Sequence, residues 1–106
     1  MKIYMYSNRT NDPYRAEGEY KKGKVTVFKG SKIAREMKSN FRPYAYVVEL
    51  RKNPEIVNDE FIVQEDIEFP SPSGAAQFVS GRSTDGLVSW KIERGLSLRD
   101  KIEGRK

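Results

Sequence analysis

The 106-residue chain has neither cysteine nor histidine. Without cysteine there are no disulfides, no thiolate nucleophile and no cysteine-ligated zinc. Without histidine the usual general base near neutral pH and the commonest metal ligand are missing too. No run approaches the roughly 18 consecutive apolar residues of a membrane-spanning helix. The apolar stretch Met1–Tyr6 is too short for a secretory h-region. A cytoplasmic protein with no membrane contact is expected, and the missing cysteine agrees with a reducing compartment. The length suits one domain, residues 1–106.

Charge is abundant and unevenly placed. A third of the residues are charged, and 20 bases against 15 acids leave a net charge of +5. Residues 1–53 carry 13 basic and 5 acidic side chains, net +8, whereas residues 54–106 carry 7 and 10, net −3. Between Lys21 and Arg42 eight bases meet a single acid, Glu36. Between Glu55 and Glu68 six acids meet no base. A basic block of this kind attracts polyanions, nucleic acid above all, but it also suits a solvated surface that keeps a small protein soluble. The acidic stretch can cancel much of it if the fold brings the two together.

Hydrophobic patterning points to an α+β fold: a small, mostly antiparallel sheet packed on one side by two or three short helices. Lys2–Tyr6 alternates as a strand. Arg15–Lys21 and Lys24–Lys29 flank Lys22-Gly23 and read as a hairpin, with Val25 and Val27 on one face. Ser31–Lys38 reads as a short helix capped by Ser31, or as loop. Pro43 to Asn53 has a helical stripe, although Tyr46-Val47-Val48 leaves a strand open. Phe61–Val63 reads as a strand that Ile67 and Phe69 can continue. Ser71-Pro72 starts a helix that Gly81 stops. Thr84-Asp85-Gly86 and Arg94-Gly95 are turns on either side of a strand over Leu87–Ile92. Ser97–Ile102 forms a final short helix, and Gly104-Arg105-Lys106 is expected to fray. The tyrosines and phenylalanines are assigned to the core or its margin, with Tyr14, Tyr20 and Tyr44 as partial exceptions.

No catalytic constellation stands out. Ser71 and Ser73 have no imidazole to activate them, and the glycines form no phosphate-loop or dinucleotide pattern. The run Glu65-Asp66-Ile67-Glu68 directs adjacent carboxylates to opposite faces of an extended strand, which argues against a cation site. The sequence therefore points away from an enzyme, and no catalytic residue, cofactor or metal is expected. Two features suit binding. Ser71, Ser73 and the backbone N–H groups of a helix start can hold an anion, with Arg82 beyond the helix stop, though an ordinary helix cap explains the same residues. Lys29, Ser31, Lys32, Arg35 and Lys38 form the densest part of the basic block and are the candidate phosphate contacts. Trp90 reads as core, with a wall for a stacked base as the other option.

Three stretches also resemble a known family. Phe69-Pro70-Ser71-Pro72-Ser73-Gly74-Ala75-Ala76 through Gly81-Arg82-Ser83-Thr84-Asp85-Gly86 to Trp90-Lys91 is similar to the "F-S-S-P-S-A-A-A … G-R-S-x-N-G-W … W-K" core of the domain of unknown function DUF4357. Val25–Lys32 resembles its strand ending in Gly-Ser-Lys, and Gly95-Leu96-Ser97-Leu98 resembles its close, so that the likeness covers about residues 15–100. Gly74, Asp85 and Leu87 depart from the pattern, and Leu87 stands where an aromatic is frequent. The resemblance implies a small DNA-associated module of the kind that follows GIY-YIG nuclease domains or accompanies restriction and methylation proteins. It is similar to a module proposed to recognise modified DNA. Ile3-Tyr4-Met5-Tyr6 is not a GIY-YIG motif, so a nuclease or methylase activity would belong to a partner chain. Composition and resemblance together lead to the expectation of a nucleic-acid-binding module, DNA first. The other reading is a protein-interaction module that docks an acidic partner on its basic surface, and a hydrolase using carboxylates of residues 59–68 ranks third.

Overall fold

The computed structural model describes residues 1–8, 11–38, 42–93 and 95–104. In β1 (Lys2–Ser7) Ile3 and Met5 alternate with Lys2, Tyr4 and Tyr6. β2 (Tyr14–Lys21) returns antiparallel, with Ala16 opposite Met5 and Gly18 opposite Ile3. β3 (Lys24–Val27) completes the expected hairpin, and Val25 and Val27 do share the buried face. Its turn residues Lys22 and Gly23 have φ of 52° and 83°. Two successive left-handed residues give a turn whose twist matches that of the strands it joins. β4 (Ile67–Phe69) pairs with β3, setting Phe69 opposite Val25. β5 (Lys91–Glu93) joins the other edge of β1, followed by β6 (Leu96–Ser97). The order is β4-β3-β2-β1-β5-β6, antiparallel throughout.

The helices are α1 (Ala45–Lys52), α2 (Pro72–Ser80), α3 (Gly86–Ser89) and α4 (Leu98–Ile102). The α+β expectation holds, with four helices among the described residues rather than two or three. α2 follows its sequence signals closely. The Ser71 hydroxyl accepts from the Gly74 N–H at 3.2 Å, Pro72 occupies the first turn, and Gly81 closes the helix in the left-handed conformation at φ 69°. α4 is held by a reciprocal cap between Ser97 and Asp100. α2 lies on β2, β3 and β4, and α1 packs against α2. Between these layers Trp90, Phe69, Phe78, Ile3, Ile33 and Leu98 are fully buried. The Phe69 and Phe78 rings meet at 5.1 Å, a tilted arrangement that suits their quadrupoles.

One open reading resolves as loop, and two segments depart from expectation. Residues 31–38 form no helix. Their backbone donors are claimed by separate elements: Lys32 N–H by Arg15, Ile33 N–H by Phe61, Ala34 N–H by Val79 and Lys38 N–H by Gly81. A helix would have to give up all of these bonds. Phe61–Val63 makes only isolated bridges, Lys32 with Ile62 and Val57 with Val63. Here the Asn58 side chain accepts from the Glu60 and Ile62 N–H groups and holds a tight bend. The strand expected over Leu87–Ile92 is split, because the Asp85 carboxylate caps the Leu87 N–H at 3.0 Å and starts α3 before β5 begins. Arg94 of the last turn and the fraying residues Arg105 and Lys106 lie outside the described residues.

Among the described residues one charged side chain is built into the interior. Arg51 sits one turn beyond Val47 on the inner face of α1 and is 8% exposed. Its guanidinium donates to the main-chain carbonyls of Phe78 and Ala34. The last carbonyls of a helix have no partner inside it. In α2 the Phe78 carbonyl is taken by Arg51 and the Val79 carbonyl by the Ala34 N–H, while just beyond the helix the Gly81 carbonyl takes the Lys38 N–H. A cation at this end also complements the helix dipole. Burial pushes the Arg51 pKa down to about 10, with Asp12 acting the other way, so the group is still a cation at neutral pH. Replacing it strands buried carbonyls. We expect Arg51→Ala to lower unfolding free energy by about 3 kcal/mol and Arg51→Lys by about 1–2 kcal/mol, since one ammonium cannot span two divergent acceptors. Urea denaturation of the three proteins measures both.

Candidate functional site

With the helices on one face, the alternation of the strands sends a second set of side chains to the other. Tyr4 and Tyr6 of β1 point there, with Glu17 opposite Tyr4, Arg15 opposite Tyr6, and Lys91 of β5 on the other side of Tyr4. Tyr6 is 62% exposed and Tyr4 is half-buried beneath the Lys2 ammonium, 5.8 Å from its ring centre. Three adjoining hollows cross this face. The first, about 680 Å³, is lined by Tyr4, Tyr6, Ser89, Lys91, Glu93 and Gly95. The second, about 440 Å³, shares the two tyrosines and reaches Arg15 and Glu17. The third, about 170 Å³, shares Arg15 and Glu17 and ends at Lys29, Gly30 and Ser31. The result is a band with aromatic rings at its centre, a lysine near each end and Arg15 between.

Of the basic-block candidates, Lys29 reaches this band. Ser31 supports it from below: it is buried, and its hydroxyl bonds both the N–H and the carbonyl of Glu17. Lys32, Arg35 and Lys38 run on toward the end of α2. The Lys32 ammonium donates to the Ile33 carbonyl at 2.9 Å and to that of Pro13 at 3.4 Å. Burial, and then the charge of Arg35, push its pKa below the usual lysine range, with Asp12 acting the other way. Arg35 lies over the Phe61 ring at 5.5 Å, and Lys38 pairs with Glu36 at 3.9 Å. The block is thus divided. Lys21, Lys22 and Lys24 sit at the hairpin end of the sheet with Glu19 and Glu68, and Lys29 sits at the other end of β3. The acidic stretch partly covers it: Glu68 faces Lys24 at 3.8 Å, and the Asp66 carboxylate accepts the Lys29 N–H at 2.8 Å. Its acids do not converge in one cleft, and among the described residues no three acidic groups come close enough to hold a metal ion.

The helix-start candidates occupy the other layer. Ser71 caps α2 and hydrogen-bonds the Tyr46 hydroxyl, whose pKa rises chiefly through burial. Gly74 makes room for that hydroxyl, since a Cβ there would fall 2.0 Å from it. Ser73 is half-buried, and its backbone N–H lies against Gly86, where a Cβ would be only 2.4 Å from the Ser73 nitrogen. This helix start is packed by α3 and Tyr46 and carries out the capping role. Arg82 is half-buried, and its Nε has no hydrogen-bond partner among the described residues. Asp85, three residues further on, pairs with Arg99. Trp90 is fully buried and donates to the Pro72 carbonyl at 3.2 Å, which makes it core and removes the stacking option.

The sequence reading missed Tyr4, Tyr6, Arg15 and Lys91. β1 is apolar on both faces, so alternation alone does not say which face is covered. It also missed Asp12, whose carboxylate accepts the N–H groups of Arg35 (2.7 Å) and Glu36 (3.1 Å) and anchors the basic segment. Burial raises the Asp12 pKa, but these hydrogen bonds and the charges of Lys32 and Arg51 outweigh it, and the net shift is downward. A carboxyl with a lowered folded-state pKa stabilises the fold above its unfolded value, about pH 4, and that contribution disappears as pH falls through the folded value. Asp12→Asn is expected to cost about 1 kcal/mol at neutral pH and to flatten the drop in Tm as the pH falls below about 4. Thermal unfolding across that range is the check.

Comparison with curated proteins finds no match, and neither does comparison with solved structures. A family model does match, described as a domain of unknown function, and its match runs over residues 5–102. That span takes in the end of β1 with Tyr6, the Gly30-Ser31-Lys32 turn, the capped helix α2 and the final helix α4. The chain belongs to the DUF4357 family.

Proposed function

We propose that this domain is a non-enzymatic nucleic-acid-binding module, with DNA as the expected polymer, working beside a nuclease, methylase or restriction partner chain. The observation that carries the reading is the band across the helix-free sheet face, in which Lys29, Arg15 and Lys91 flank the Tyr4 and Tyr6 rings. Cationic side chains offer phosphate contacts without reading sequence, and aromatic faces accept bases of any kind. Family membership supports the link to restriction and modification systems only through the resemblance described above. Lys32, Arg35 and Lys38 extend positive charge beyond the end of the band and serve as peripheral contacts.

The test is fluorescence anisotropy with labelled DNA at two salt concentrations. Binding at low salt should weaken as salt rises, with a log–log slope of about −2 for three phosphate contacts to a single strand. Arg15→Ala with Lys29→Ala should weaken binding severalfold and reduce the slope by about 0.7 per lost contact. Both side chains are exposed, so the double variant keeps its fold. Absence of binding at low salt, or binding indifferent to salt and to both substitutions, overturns the proposal.

A further inference from the structure

We infer that the polymer held on this face is a single strand, its bases laid on Tyr6 and Tyr4 and its phosphates carried to the rim. This rests on the nucleic-acid reading above and adds the class of substrate. The band carries its chemistry in a definite order. Its middle holds two tyrosine rings and the Glu17 carboxylate, Glu93 stands beside Lys91 on β5 toward one end, Lys29 stands at the other, and Arg15 lies across from Tyr6. Duplex DNA presents a dense ribbon of phosphate, one charge per about 1.7 Å of axis. Laid across the face, that ribbon would bring phosphates onto two carboxylates. A single strand can turn its bases inward and its phosphates outward. Rings then meet rings, and the carboxylates accept from exocyclic amino groups at base edges.

The exposure of Tyr6 points the same way. Among the described residues it is the most exposed of the large hydrophobic side chains, 62%, and it stands on a regular strand among half-buried or charged neighbours. Nothing in the fold needs an aromatic ring at this position, whereas a stacking platform does. Tyr4 lies two residues away on the same face, so the two rings are about 7 Å apart, enough for one base on each with the backbone extended. The Lys2 ammonium now over the Tyr4 ring is exposed and can move to a phosphate when a base takes its place.

The experiment uses the full chain with labelled 12-nucleotide single-stranded DNA, single-stranded RNA of the same sequence and the matching DNA duplex, all at one low salt concentration. The expected result is about tenfold tighter binding of a single strand than of the duplex. Tyr6→Ala should weaken single-strand binding about tenfold and leave duplex binding unchanged, while Tyr6→Phe keeps the affinity because stacking needs the ring and not the hydroxyl. Tyr6 ring protons should shift upfield in the NMR spectrum when the oligonucleotide is added. Preference for either DNA or RNA strands supports the inference and names the polymer. Duplex binding as tight as single-strand binding, lost with Arg15→Ala and Lys29→Ala but indifferent to Tyr6→Ala, overturns it and leaves the nucleic-acid reading standing. No binding of any of the three polymers overturns both. Tyr6 faces solvent, so circular dichroism of Tyr6→Ala should show an intact fold.

Discussion

The Arg51 guanidinium holds two distant stretches of backbone with one rigid group. It takes the Phe78 carbonyl at the end of α2 and the Ala34 carbonyl in the segment after β3, while its own backbone belongs to α1. An ordinary apolar residue at this position could pack but could not satisfy two buried acceptors. Much of the molecule's organisation follows from that requirement. The 31–38 segment remains extended and lends its N–H groups to the end of α2, and Asp12 ties the same segment to the chain ahead of β2. Lys32 and Arg35 are thereby fixed beside Asp12 as parts of a structural joint.

That joint also decides the two sides of the sheet. α2 covers Val25, Val27 and Phe69, and the helix layer is completed by α1, which packs on α2. The opposite face is left to β1, β2 and β5, where Tyr4, Tyr6, Arg15 and Lys91 gather from three strands. A six-stranded sheet covered on one side offers a broad, stiff surface on the other. Side chains standing on regular strands are held in fixed relative positions, which suits a surface that must meet a repeating polymer.

Local signals were readable where one residue sets one geometry. Ser71, Pro72 and Gly81 bound α2 as their chemistry dictates, Gly23 turns the hairpin, and Val25 and Val27 show their face by alternation. Segments whose hydrogen-bond partners lie far along the chain were not readable. Ile33, Ala34 and Met37 have helical spacing, yet the N–H groups of Ile33 and Ala34 bond Phe61 and Val79. Leu87–Ile92 has strand composition, but Asp85 starts a helical turn first. The candidate contacts divided in the same way. Lys29 reaches the band, Ser31 and Ser71 are spent on hydrogen bonds within the fold, and Tyr6 was hidden in a strand apolar on both faces.

The sequence by itself determined the α+β class, the caps and turns, the family and the lack of histidine and cysteine chemistry. Each of these depends on residue type or on spacing within a few positions. Tertiary structure alone decided which face of the sheet stays open, how the basic block is split between the two ends of β3, and that a charged Arg51 belongs to the interior. These depend on pairings between residues tens of positions apart, such as Tyr4 with Lys91, Lys29 with Asp66 and Arg51 with Phe78. No periodicity along the chain records them, because each partner satisfies its local pattern equally well without the other.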